Sequence, residues 1–169
     1  YLTSLGTPPS DRGRAMAHQM ADGALSRWAA FLATVARANG ALTIIHRADA
    51  HAMPEAEEIV EGLEAMFYRP EFRIIPVPGH TAGSLCLLYR DRFLFTGDHL
   101  WWDPEANELG SPQQLVWDAD ALRQSIATLT SYSFEWVLAG HGGRVRLPRV
   151  HMHKVLCELI TRREGALQR

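Results

Sequence analysis

Three short stretches, Pro78-Gly79-His80-Thr81, Thr96-Gly97-Asp98-His99 and Ala139-Gly140-His141-Gly142, each set a histidine or an aspartate beside glycine just after an apolar run. The glycine lets the backbone turn sharply and brings the neighbouring side chain to the rim of a sheet. Imidazole and carboxylate are the donors that suit a borderline cation such as zinc, or iron. If the three loops open on one edge, His80, Asp98 and His141 converge on such an ion. Taken singly, each stretch reads as an ordinary turn, and Asp98 could simply cap the segment after it. The order and company of the three make the signal specific.

The elements that must carry these loops are legible as alternating helices and strands. From Ala17 the apolar positions Met20, Ala21, Ala24, Leu25, Trp28, Phe31, Leu32 and Val35 follow a helical period, and Asn39-Gly40 supplies its stop. Short β-branched runs follow at Leu42 to His46 and Phe72 to Val77, and Pro54 to Met66 between them reads as a helix with an uneven apolar face. Leu85 to Tyr89 and Phe93 to Thr96 flank Arg90-Asp91-Arg92, which suits a tight hairpin. Ala119 to Leu129 is amphipathic, with Asp118 or Asp120 able to cap it. Trp136 to Ala139 reads as a buried strand, and Pro148 opens a last helix. Ser4 to Arg14 has the composition of an exposed loop. The whole is an α/β layered arrangement without internal repeats.

Length and composition bound the rest. A chain of 169 residues, 47% hydrophobic, can bury one core, so residues 1–169 read as a single domain. Seventeen basic against nineteen acidic side chains leave a formal net charge of −2, with no basic block, which argues against nucleic acid as a partner. No apolar run reaches the ~18 residues of a membrane span and no signal peptide is visible, so no membrane partner is expected. Cys86 and Cys157 stand at no metal-like or redox-like spacing and read as reduced thiols of an intracellular, cytoplasmic protein, with an organelle also open. The chain begins at Tyr1 rather than Met, which leaves room for an upstream segment.

The order PGHT, FTGDHL, AGHG resembles the C-terminal half of the metallo-β-lactamase fold, whose relatives include glyoxalase II-like hydrolases. The likeness runs from about Leu42 to Pro148. It implies an αββα sandwich with a metal site at one edge of the sheets, here without its N-terminal strands. It further implies that His80 ligates a first metal, that Asp98 bridges two metals, and that His141 holds the second. Zinc, as one or two ions, is the implied cofactor, with iron as the alternative.

The sequence also departs from that family. The family's other ligands lie in an H-x-H-x-D-H motif, which one branch replaces by a segment like THRDDVADH. Here Ser4 stands where that branch has its first histidine, and Gly23 where it has its last. His18 and Asp22, four apart, share a helical face and could each offer a donor atom, with Asp22 as the candidate to orient a nucleophile. The alternative is a solvated His18 and a first-turn acid at Asp22. Thr81 and His99 are expected to support the ligands from behind.

Other polar and aromatic residues are less telling. His46, Asp49 and His51 read as a surface turn rather than a ligand cluster. His151 and His153, two apart on a helix, face different ways. Trp101, Trp102 and Trp117 either line a substrate cleft or pack in a core. Arg144 and Arg146 either meet an anionic substrate or end a strand in solvent. Two readings of function follow: a metal-dependent hydrolase whose metal-bound hydroxide attacks a small ester or thioester, or an inert, degenerate member that serves as a binding or assembly module. Iron-dependent dioxygenase chemistry, which shares the fold, is a third. A small-molecule substrate is the expected partner, and an incomplete first sheet with an uncovered apolar face points toward a homodimer.

Overall fold

The computed structural model describes residues 35, 36, 38–114 and 116–166. The segments read above as the Ser4 to Arg14 loop, most of the first helix, and the His18 and Asp22 candidates lie outside the described residues. The end of that first helix is described. Asn39 and Ala41 donate backbone N–H bonds to Val35 and Ala36, and Gly40 takes φ +61°, so the helix stops through a left-handed glycine.

A six-stranded sheet forms the centre. In chain order its strands are β3 (Met66–Arg69), β4 (Phe72–Pro76), β5 (Leu85–Tyr89), β6 (Phe93–Gly97), β9 (Trp136–Ala139) and β10 (Val145–Arg146), and in space they run β10-β9-β6-β5-β4-β3. All neighbours are antiparallel except β6 and β9, which are parallel. A parallel pair needs a crossover, and helix α1 (Ala119–Leu129) supplies it. Two small sheets accompany the large one: β1 (Ile44–His46) parallel to β2 (Glu58–Val60), and the hairpin of β7 (Trp101–Asp103) with β8 (Glu108–Gly110). Helix α2 (Arg149–Ala166) closes the described chain.

Alternation along the strands sets the core. Cys86 and Leu88 on β5, Leu94 on β6 and Val137 on β9 are buried beneath Leu122, Ile126 and Leu129 of α1 and Met152, Val155, Leu156 and Leu159 of α2. The period-2 pattern of a strand thus meets the 3.6-residue stripe of a helix. The opposite face of the same strands carries a ladder of rings, Phe72, Tyr89, Phe93 and Trp136, with successive centroids 4.6, 6.1 and 6.2 Å apart. These rings are half-exposed, and Phe95 beside them is exposed.

Some expectations from the sequence are met closely. Strands β5 and β9 and helix α1 begin and end where their patterns predict, and Asp118 is the cap, accepting from the Ala121 N–H at 2.8 Å. Arg90 and Asp91 both take positive φ, the mark of the type I′ turn that suits a hairpin's twist. Pro54 to Met66 is a correction: it forms no helix, and its middle is strand β2, paired in parallel with β1. Its apolar residues are too unevenly spaced for a helical stripe, so sheet pairing with β1 decides the conformation.

Candidate metal centre

Each of the three glycine loops is fixed by a different neighbour. The loop after β4 is tied to the start of α1. Trp117 and Asp118 donate backbone N–H bonds to the carbonyls of His80 and Gly79, both at 3.1 Å, and the Ser125 hydroxyl donates to the Pro78 carbonyl at 2.7 Å. A β-carbon on Gly79 would fall 2.3 Å from the Cα of Leu122, so only glycine lets the loop lie this close to the helix. The loop after β6 is held by Gly140, which donates to the Gly97 carbonyl at 2.7 Å and so draws the ends of the parallel strands β6 and β9 together. The loop after β9 is clasped by β7 through reciprocal backbone bonds between Trp102 and Gly143 at 2.9 and 3.2 Å.

These three fixings bring the side chains to one place. Asp98 lies between two imidazoles: His141 Nδ1 is 2.6 Å from its Oδ1, and His80 Nε2 is 3.8 Å from its Oδ2. Each histidine therefore addresses a different carboxylate oxygen. His80 is the more enclosed of the two, while the His141 side chain is 87% exposed.

The donor chemistry fits a cation, and the spacing on the His80 side admits one. Metal–nitrogen and metal–oxygen bonds of about 2 Å each allow a single ion to touch both His80 Nε2 and Asp98 Oδ2. On the His141 side the imidazole and carboxylate bond each other directly, so His141 must swing aside before an ion can enter, and its exposure leaves it free to do so. Among the described residues no group of three or more His, Cys, Asp or Glu side chains is arranged to hold a metal ion as it stands. His80 Nδ1 is also buried without a partner among the described residues, an acceptor or donor left over in a loop that is otherwise well bonded.

His99, expected to support Asp98, is placed differently. It is fully buried, neither ring nitrogen has a hydrogen-bond partner among the described residues, and its backbone N–H bonds the Thr96 carbonyl. Burial pushes its imidazole down to about 3, with His80 and Arg163 adding to the effect, so the ring is neutral. Thr81 is bonded through its side chain to Ser84 and Asp49. Its N–H and its hydroxyl meet the Ser84 hydroxyl at 2.9 and 2.8 Å, and its hydroxyl also donates to Asp49.

That last contact corrects the reading of the His46 to His51 segment as a surface turn. Asp49 sits in the 3₁₀ helix Arg47–Ala52 and accepts from the Gly83 N–H at 3.0 Å as well as from Thr81. His46 is buried, with Nδ1 accepting from the Ala48 N–H and Nε2 facing the Gly62 carbonyl at 2.9 Å. Contacts spanning more than thirty residues leave no trace in local composition, which is why the segment read as an isolated turn. The tryptophans divide: Trp102 is in the core, Trp101 lies against Gly110 and Gly142, and Trp117, next to the His80 loop, is 53% exposed. Arg144 bonds the Ala139 carbonyl and Arg146 pairs with Glu135, so both serve the end of the sheet.

No family model matches the chain. Over 117 residues it is 35% identical to a hydroxyacylglutathione hydrolase of Anaeromyxobacter dehalogenans, a match that takes in 60% of this chain and 46% of that protein. Over 112 residues it is 35% identical to a hydroxyacylglutathione hydrolase of Cereibacter sphaeroides, with 64% of this chain and 40% of that protein covered. The chain thus spans less than half the length of these curated relatives. Among solved structures, the DIM-1 metallo-β-lactamase superposes with a TM-score of 0.54 at 18% identity, over 79% of this chain and 61% of that one. A metallo-β-lactamase superfamily protein of Sulfolobus tokodaii does so with a TM-score of 0.51 at 16% identity, over 78% and 61%. With its sheet, its covering helices and its three glycine loops opening at one edge, the described part of the chain has the metallo-β-lactamase fold.

Proposed function

We propose that the chain belongs to a metal-dependent hydrolase that cleaves a small thioester or ester, with His80, Asp98 and His141 holding zinc, or iron in its place. The observation that carries this reading is the Asp98 carboxylate with one imidazole on each of its oxygens. The names of its curated relatives favour a hydroxyacylglutathione thioester as the substrate class.

When bound, the metal supplies Lewis acidity and draws the pKa of water toward neutrality. The protein's part is positional. The α1 start and Leu122 fix the His80 loop, so that Nε2 faces Asp98. Asp98 keeps both oxygens directed at the imidazoles, and the exposed His141 closes on its partner. Trp117, standing beside the His80 loop in solvent, offers an apolar wall for an acyl group.

One observation favours a second reading, the inert binding or assembly module. The His141 to Asp98 bond at 2.6 Å occupies donor atoms that a metal would need. Metal analysis of the purified full chain separates the two, combined with hydrolysis of a hydroxyacylglutathione. One or two equivalents of zinc or iron, lost together with turnover in His80→Ala, supports the hydrolase. A chain that takes up no zinc on titration and hydrolyses nothing supports the module.

A further inference from the structure

Asp49 is none of the three side chains proposed to hold the metal, yet its carboxylate is committed to the loop that presents His80. Oδ2 accepts from the Thr81 hydroxyl and Oδ1 accepts from the Gly83 N–H at 3.0 Å. The Thr81 hydroxyl in turn lies 2.8 Å from Ser84 Oγ, which accepts from the Thr81 N–H at 2.9 Å. Gly83 is buried against the carboxylate so closely that a β-carbon there would fall 2.7 Å from Asp49 Cγ. One short side chain thus replaces the backbone partners that a tight loop cannot supply for itself.

The consequence falls on His80. On its N-terminal side the loop is fixed by Leu122, Asp118 and Ser125. On its C-terminal side, between His80 and the first residue of β5, the fixing side chain from outside the loop is, among the described residues, Asp49. The geometry points to Asp49 as the positioning residue that holds His80 toward Asp98 for metal binding, through Thr81 and Gly83. This rests on the reading of His80 as a metal-binding side chain.

The test is zinc affinity of the full chain, measured by competition with a chromophoric chelator, beside NMR of the His80 ring in the metal-free protein. Asp49→Ala is expected to weaken zinc about 10-fold, the lower end of what losing a supporting partner costs a ligand, and to split or broaden the His80 ring signals. Thr81→Val should do the same and Thr81→Ser should not, because serine keeps the hydroxyl. The double variant Asp49→Ala/Thr81→Val should lose little more than either single one, since the two act as one unit. A role in stability alone would lower the melting temperature and leave the affinity of the folded protein unchanged. Should Asp49→Ala fail to fold, Thr81→Val against Thr81→Ser decides by the same readouts. The inference is overturned if Asp49→Ala and Thr81→Val bind zinc as the parent does while His80→Ala does not. If His80→Ala itself binds as the parent does, the metal reading falls first and this one with it.

Discussion

Gly79 is packed against Leu122 without room for a side chain: a β-carbon at position 79 would lie 2.3 Å from the Leu122 Cα, and the glycine takes φ +145°. Steric overlap with helix backbone and a backbone angle that L residues avoid act together here. Gly79→Ala should therefore cost about 3 kcal/mol in denaturant unfolding, as overpacking and strained backbone do. A loss below about 1 kcal/mol would mean that the loop and the helix separate easily, and the placement of His80 would need another cause.

Asp98→Asn should separate stability from metal binding. The His141 to Asp98 pair is exposed to solvent, with 38% of the Asp98 side chain and 87% of the His141 side chain open, so its loss should change stability by no more than about 1 kcal/mol. Zinc affinity should fall by at least about 10-fold, because a donor is removed outright. Calorimetric titration beside thermal melts reads both quantities, and unchanged affinity would remove Asp98 from the centre.

The Asp118→Ala variant addresses the helix that holds the His80 loop. Its carboxylate caps α1 through the Ala121 N–H, and loss of such a cap costs about 1 kcal/mol. The bond from the Asp118 N–H to the Gly79 carbonyl uses backbone and survives the change. Urea unfolding should show the loss, with zinc affinity kept; a stability equal to the parent's would mean that α1 is held without its cap.

Cys86 gives a prediction in pH. Burial raises its thiol from 9.0 to about 12, so the folded protein keeps a proton that the unfolded chain releases. Below pH 9 both states hold it and nothing is lost. Between about 9 and 12 the unfolded state is favoured increasingly, by about 1.4 kcal/mol per pH unit. Cys86→Ala should remove that part of the alkaline slope. In thiol labelling at pH 8, the half-buried Cys157 should react first and Cys86 only in denaturant; equal rates in the native protein would contradict the buried site.

Much of this molecule could be read from local pattern. Helix α1 and strands β5 and β9 declare themselves because apolar spacing, a capping aspartate and flanking turns all act within a few residues. The glycine loops carrying His80, Asp98 and His141 are visible for the same reason, since a backbone that must turn at a strand end needs glycine beside the residue it presents. What needed the tertiary structure is every relationship across the chain. That Asp98 reaches both imidazoles depends on β6 and β9 being parallel neighbours. The middle of Pro54 to Met66, Glu58–Val60, became strand because β1 lay beside it, against the segment's own weak preference. Asp49 meets Thr81 across thirty-two residues, and His99 is buried although its neighbour Asp98 is half-exposed. Hydrogen bonds and burial depend on distance in space, and composition records only distance along the chain.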